Sequence, residues 1–391
     1  MEISNGVYWV GAVDWNVRNF HGHTYHTVKG TTYNAYLIVD QRIALVDTVY
    51  GPFANELIDN IAAIIPLEKI DYVIANHVET DHSGAMPVVM ELCPKAKVLG
   101  TAKCKEGLYR YYYKNWDFQV VKTGDKLNLG KKTLTFLEAP MLHWPDSMFT
   151  YCPEETLLMP NDAFGQHYAS SERFDDEVDH CGLMDEAAKY YANILWPLSS
   201  LVLRKIEDVQ KLKLPISMIA PSHGIIWRKD PDKIVSSYVT WAKNTTARKA
   251  VIAYETMWGS TEKMAGAILK GLADSGVSVK MFDVSSADRT DVIKEMLDAK
   301  LFVIGSSTHD NDMLPAIAGF LEFLNGLKPK GRLGAAFGSY GWAGGAVANI
   351  EKMLKEAGLE SAAQSVSARF SPDESDLKRC YEFGAELAKK L

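Results

Sequence analysis

Hydrophobic and polar positions follow two different rhythms in this chain, and the change falls near residue 248. Before it, short apolar runs alternate with turns. Residues 36–39 and 43–47 flank the polar Asp40-Gln41-Arg42 and predict a hairpin. Helical spacing predicts a helix over 53–64, and the apolar run 71–75 predicts a buried strand. Further strands are predicted at 133–137, 148–152, 156–159 and 216–220. The amphipathic stretch 184–211 predicts a helix broken near Trp196-Pro197, because proline cannot continue the hydrogen-bond ladder. Strands, a helix and strands again imply a layered αβ/βα sandwich.

After residue 248 the alternation is regular. Strands are predicted at 250–254, 277–282, 301–305, 334–338 and 365–370. Helices are predicted at 260–273, 290–297, 316–327, 346–356 and 373–391. This is the pattern of a doubly wound parallel α/β sheet. Residues 230–246 read as a connecting helix and linker. Two domains are therefore expected, 1–247 and 248–391.

Composition narrows the choice of function. The 391 residues are 47% hydrophobic and 23% charged, enough to bury large cores. A net charge of −7 without a dense Lys/Arg block disfavours nucleic acid as a partner. The five cysteines, Cys93, Cys104, Cys152, Cys181 and Cys380, form no CxxC pair, which suggests free thiols in a reducing compartment. The N-terminal residues lack the basic and apolar regions of a signal peptide, and no apolar run approaches membrane-spanning length. A cytoplasmic location away from membranes is expected.

The strand predicted at 71–75 runs into His77-Val-Glu79-Thr-Asp81-His82, four potential metal ligands in six residues, with Ser83-Gly84 expected to supply a turn. Such density suits two metal ions, and mixed oxygen and nitrogen donors favour iron, manganese or zinc. The absence of cysteine disfavours an iron–sulfur cluster. His143, Asp162 and His223 each lie just after a predicted strand and next to proline or glycine. They are expected to gather at the same sheet edge, which a polar surface loop alone would not require.

The order of hexad, His143, Asp162 and His223 resembles the metallo-β-lactamase superfamily, whose hydrolases carry H-x-H-x-D-H. Here Glu79 replaces the second histidine. Together with the flavodoxin-like second half, the whole chain resembles the flavodiiron proteins. That resemblance implies that His77, Glu79 and His143 bind one iron, that Asp81, His82 and His223 bind the other, and that Asp162 bridges them. In some family members the residue at position 82 is not a ligand. A third carboxylate lowers the ferric/ferrous potential and hardens the donor set, which favours iron over zinc. The resemblance also places His21 and Tyr191 as proton donors beside the metals, with His23 and His26 as neighbours able to replace His21. A histidine titrates near neutrality and suits that role.

The second domain carries an anion-binding loop, Thr256-Met257-Trp258-Gly259-Ser260-Thr261, between its first strand and first helix. Hydroxyls and backbone N–H groups at a helix start favour phosphate. The loop is neither a Walker A motif nor G-x-G-x-x-G, and is similar to flavodoxin loops that hold the FMN phosphate without positive charge. Two later loops share its sheet edge: Ser307-Thr308-His309-Asp310-Asn311 and Ser339-Tyr340-Gly341-Trp342-Ala343-Gly344. In a doubly wound sheet ligands bind at that edge, and Trp258, Tyr340 and Trp342 offer flat faces for an isoalloxazine.

The resemblance implies an oxidoreductase that reduces dioxygen to water, nitric oxide to nitrous oxide, or both, using FMN and two irons. Without CxxC pairs, no rubredoxin-like domain is expected within this sequence. Electrons are then expected from a separate rubredoxin-like protein or a reduced deazaflavin coenzyme. A head-to-tail homodimer, alone or assembled into a tetramer, is expected to bring one copy's FMN to the other's irons. Two other readings compete: a zinc hydrolase with an accessory flavodoxin domain, and an electron carrier whose lactamase-like half only dimerises.

Overall fold

The computed structural model describes residues 1–391. They form two compact units, Met1–Tyr190 with Ser200–Val239, and Tyr191–Ser199 with Thr240–Leu391. This differs from a single division at 247/248. The indole of Trp196 donates to Asn244 Oδ1 at 2.9 Å, and the buried Arg332 guanidinium donates to the Asn244 carbonyl. These bonds tie the interrupted helical stretch and the linker to the second unit. No helix is long and apolar enough to cross a membrane.

The first unit contains two mixed sheets. The larger runs in the order Glu2–Ser4, Val7–Trp9, Tyr36–Val39, Ile43–Val46, Tyr72–Ile74, Lys97–Gly100, Phe118–Val120. The smaller runs Lys126–Asn128, Thr133–Glu138, Met148–Cys152, Leu157–Met159, Met218–Ile219. One core lies between them, with Val7, Ile38, Val46 and Ile74 from the first sheet against Phe136, Met148, Leu157 and Met159 from the second. The expected hairpin pairs Tyr36 with Val46 and Val39 with Ile43. The helical stretch is His180–Tyr190, a π-helical turn Tyr191–Leu195, a 3₁₀ turn Trp196–Leu198, and Ser199–Lys211. Pro197 sits at the break.

In the second unit every strand pair is parallel. The order is Ser278–Asp283, Ala247–Glu255, Ala299–Ser307, Leu333–Tyr340, after which Glu360–Ser361 and Val366–Arg369 both pair with Leu333–Tyr340. Strand order 2-1-3-4-5 puts a switch point between the first and third strands. The near-continuous apolar runs of the central strands Ala247–Glu255, Ala299–Ser307 and Leu333–Tyr340 follow from burial on both faces.

Candidate functional site

The hexad begins on extended backbone. His77 and Glu79 are two residues apart and point the same way, as alternation along an extended chain requires. Thr80–Ser83 then forms a single helical turn, earlier than the turn expected at Ser83-Gly84, and redirects Asp81 and His82. Two donor groups result: His77, His143 and Asp162 in one, and Asp81, His82 and His223 in the other.

Asp162 belongs to both. Its Oδ2 lies 3.4 Å from His143 Nε2 and 3.8 Å from His77 Nε2. Its Oδ1 lies 3.0 Å from His82 Nε2 and 3.6 Å from His223 Nε2. Glu79 Oε2 completes the first group at 3.3 Å from His77 and 3.4 Å from His143, and Asp81 Oδ2 completes the second at 3.3 Å from His82 and 3.1 Å from His223. All seven side chains expected to be ligands therefore converge.

Supporting residues fix which ring nitrogen faces inward. Both Asp146 oxygens lie 3.1 Å from His77 Nδ1, and the Thr32 carbonyl lies 2.7 Å from His223 Nδ1. Each leaves Nε2 for the site, the usual support for a metal-bound histidine. Behind His223 the chain must pass very close to Gln166. A Cβ on Gly224 would meet Gln166 Oε1 at 1.5 Å, so only glycine fits. Buried Asp47 joins the loops from both sheets: it accepts from the Asn76 backbone at 2.8 Å and from the Asn161 amide at 3.2 Å. Asn76 and Asn161 immediately precede His77 and Asp162.

The charge pattern is that of a site built for cations. Burial alone would depress His77, but the Asp146, Glu79 and Asp162 carboxylates outweigh it and push it up to about 10. Burial likewise opposes, and carboxylates overcome, in His143, raised to about 10, and His82, raised to about 9. Burial would raise Asp162, yet His82 and His143 hold it well below the usual carboxylate range, as His143, His21 and His77 do for Glu79. Asp81 Oδ1, His82 Nδ1 and Nε2, and Asp162 Oδ2 are buried without an aligned hydrogen bond. Unsatisfied buried donors and acceptors at one point are costly unless an ion completes them, so this donor set fits two metal ions.

Around this centre His21 places Nε2 3.3 Å from Glu79 Oε1. Tyr191 belongs to the second unit, where its hydroxyl lies 3.0 Å from Ser199 Oγ. Its neighbour Tyr190, the last residue of the regular helix His180–Tyr190, donates to Asp162 Oδ1 at 3.2 Å. His167, also missed by sequence reasoning, packs against His223 and Tyr190 with ring centroids 5.1 and 5.2 Å apart. Burial first, then the neighbouring His223 and His21, hold it well below the ordinary histidine range.

The second unit holds a cavity of about 600 Å³ at the carboxyl edge of its sheet. Met257, Trp258, Ser260, Ser307–Asn311, Ser339–Ala343 and Phe370 line it, with no lysine or arginine among them. An anionic group there would rest on hydroxyls and on the N-terminus of Ser260–Asp274, as a flavin phosphate does. Trp258 and Trp342 are 90% and 89% exposed at its border. Thr256, Gly259, Thr261 and Gly344 lie outside the lining. Thr256 Oγ1 accepts from the Gly259 backbone, and the buried Thr261 hydroxyl lies 2.9 Å from both Ser307 and Ser339. These bonds shape and join the loops. Phe370 follows the last strand, and its backbone N–H donates to Tyr340. An aromatic residue at the carboxyl end of the predicted strand 365–370 was the available signal.

A family model described as ODP family beta lactamase matches residues 31–224, and one described as flavodoxin matches 252–384. A nitric oxide reductase of Moorella thermoacetica is 55% identical, covering 100% of this chain and 98% of that one. Rubredoxin oxygen:oxidoreductase from Desulfovibrio gigas superposes with a TM-score of 0.97 at 37% identity, over 100% of this chain and 98% of that one. The flavodiiron protein from Giardia intestinalis gives 0.96 at 37% identity, over 100% and 96%. The chain belongs to the flavodiiron proteins. As a flavodiiron protein it is an FMN- and diiron-dependent oxidoreductase, with a metallo-β-lactamase-like domain and a flavodoxin-like domain in one chain. An anaerobic nitric oxide reductase flavorubredoxin of Vibrio vulnificus is 43% identical over 100% of this chain and 79% of its own length.

Proposed function

We propose that this flavodiiron protein reduces dioxygen to water and nitric oxide to nitrous oxide at the centre formed by the two donor groups. The observation that carries this reading is the division of Asp162, whose two oxygens face separate sets of histidines within one buried site. When bound, two irons and FMN supply the electrons. His77, Glu79, His143 and Asp162 would hold one iron, and Asp81, His82, His223 and Asp162 the other. Asp146 and the Thr32 carbonyl keep the imidazoles oriented. His21 is 30% exposed and touches Glu79, so it can pass protons between solvent and the site. Tyr190 keeps its proton, held by burial and the nearby Asp162, and donates to Asp162.

Electrons would enter from a separate rubredoxin-like protein or a reduced deazaflavin coenzyme and pass through FMN. A head-to-tail homodimer would set one copy's FMN against the other's irons. The exposure of Trp258 and Trp342 beside the flavin cavity supports a covered role for that border. Cytoplasmic residence fits the unpaired cysteines.

Metal analysis of the purified protein, followed by anaerobic reduction and exposure to each gas, tests the reading. Iron with FMN, and loss of dioxygen or nitric oxide matched to oxidation of the donor, is expected. Zinc alone with hydrolase activity would overturn it. A fully active monomer in solution would remove the dimer from the scheme.

A further inference from the structure

A second cavity, of about 260 Å³, lies in the first unit on the outer side of the smaller sheet. It is roofed by the helices Ser199–Lys211 and Pro231–Ala242. Strand alternation creates it: Met148, Leu157 and Met159 face the core between the sheets, while Phe149 and Leu158 face the helices. Phe149, Leu158, Val202, Ile206 and Ile219 form apolar walls and are all buried. The polar groups bordering the cavity are engaged or lie at the surface. Lys205 donates to the Glu138 carbonyl, Tyr238 accepts from the Phe164 backbone, and Lys213, Gln210 and Asp232 are exposed.

Its inner end comprises Leu142, Ala163 and Phe164. Leu142 directly precedes His143, and Ala163 directly follows Asp162, so two metal-ligand loops present their reverse sides to the cavity. Phe164 packs against Tyr238 with tilted rings, their centroids 4.5 Å apart, and its carbonyl accepts from the Trp227 indole at 2.9 Å. The cavity thus abuts the site through a wall of three apolar side chains.

We propose that this cavity is a docking site for small neutral apolar molecules, and that the gaseous substrate occupies it on the way to the diiron centre. The proposal rests on the gas-reductase reading for the identity of the occupant. The chemistry of the walls supplies the selectivity. A carboxylate, sugar or amide moving past the bordering Lys213, Gln210 and Asp232 would lose its hydration between Phe149, Leu158, Val202, Ile206 and Ile219, whose side chains offer no hydrogen bond. Dry apolar cavities of about 150 Å³ take up xenon or benzene, so this one has ample room for a diatomic gas. Dioxygen and nitric oxide demand few hydrogen bonds from water and gain by leaving it. A store of gas beside the ligand loops raises its local concentration without exposing the reduced centre to bulk water.

Crystals of the loaded protein pressurised with xenon, together with steady-state kinetics of Val202→Phe, test the proposal. Xenon density between Val202, Leu158 and Ile219 is expected in the wild type and should vanish in Val202→Phe. The variant should show a several-fold higher KM for the gas, with kcat at saturating gas, iron content and FMN spectrum unchanged. Ile206→Trp fills the same space from the next helical turn and serves if Val202→Phe does not fold. No xenon in the wild type, a chain-like copurified ligand in the cavity, or an unchanged KM in a folded, filled variant would each overturn the proposal. Gas reduction by the wild type with an unchanged KM in the variant overturns the docking site alone. A wild type inert to both gases overturns the gas-reductase reading, and xenon binding still judges the cavity.

Discussion

His82 Nε2 stands 3.0 Å from Asp162 Oδ1, with both side chains buried. That places His82 in the second donor group beside Asp81 and His223. Neither ring nitrogen makes an aligned hydrogen bond, and Nε2 faces the Asp81 and Asp162 carboxylates. Replacing His82 by alanine should therefore empty the half-site of Asp81 and His223 preferentially. Iron content should fall while the FMN absorbance stays intact. Full iron content in His82→Ala would remove His82 from the ligand set.

Tyr190 and Tyr191 offer a paired test. Tyr190→Phe deletes a donor to Asp162 and should cost about 1–3 kcal/mol of stability in the metal-free protein. It should also change turnover at the iron site. Tyr191→Phe removes the contact with Ser199 and should leave iron content and gas reduction unchanged. Chemical denaturation and gas-consumption assays on both variants check this. The opposite ranking would restore Tyr191 as the proton donor.

The tyrosine pair shows where sequence reasoning reaches its limit. The convergence of the seven candidate ligands was legible because each follows an apolar run, and strand ends converge at sheet edges. The hydrophobic rhythm likewise located all the long strands and helices after residue 248 to within a few residues. That Tyr190 donates to Asp162 depends on helical phase, and the π-helical turn at Tyr191–Leu195 resets that phase with no distinct sequence mark. Asp47 escaped notice for a different reason. It is distant in sequence from both loops it joins, and only the pairing of Ile43–Val46 beside Tyr72–Ile74 brings it to them. Short strands such as Glu2–Ser4 and Phe118–Val120 give too few alternations to register as a period.

Gly345 tests the flavin cavity independently of the irons. It precedes the helix Ala346–Glu356, and a Cβ there would meet the Asn311 carbonyl at 1.9 Å. Two of the three cavity loops touch at this point, so Gly345→Ala must push them apart. Strain of about 1–3 kcal/mol from such overpacking corresponds to roughly a ten- to hundredfold loss of FMN affinity. Fluorescence titration of the apoprotein with FMN reads it, with iron content as the control. Unchanged affinity would show that the loop contact does not shape the flavin site.

The protonation of the donor groups predicts an alkaline loss of stability in the empty protein that the loaded protein lacks. His77 and His143 are raised to about 10 and His82 to about 9 in the folded, metal-free chain. A histidine whose folded pKa exceeds its unfolded value binds its proton more tightly when folded. Its stabilisation is complete below about pH 6.5 and disappears as pH climbs through the folded value. Glu79, Asp81 and Asp162 are lowered, so their contribution is present above the ordinary carboxylate range and is lost as pH falls through their folded values. Metal ions replace those imidazole protons, so loading should release protons at neutral pH and remove the alkaline loss. The Tm of chelator-treated protein should therefore fall as pH rises through 9 and 10, while that of the loaded protein holds. An equal alkaline decline in both forms would place the titration outside this cluster.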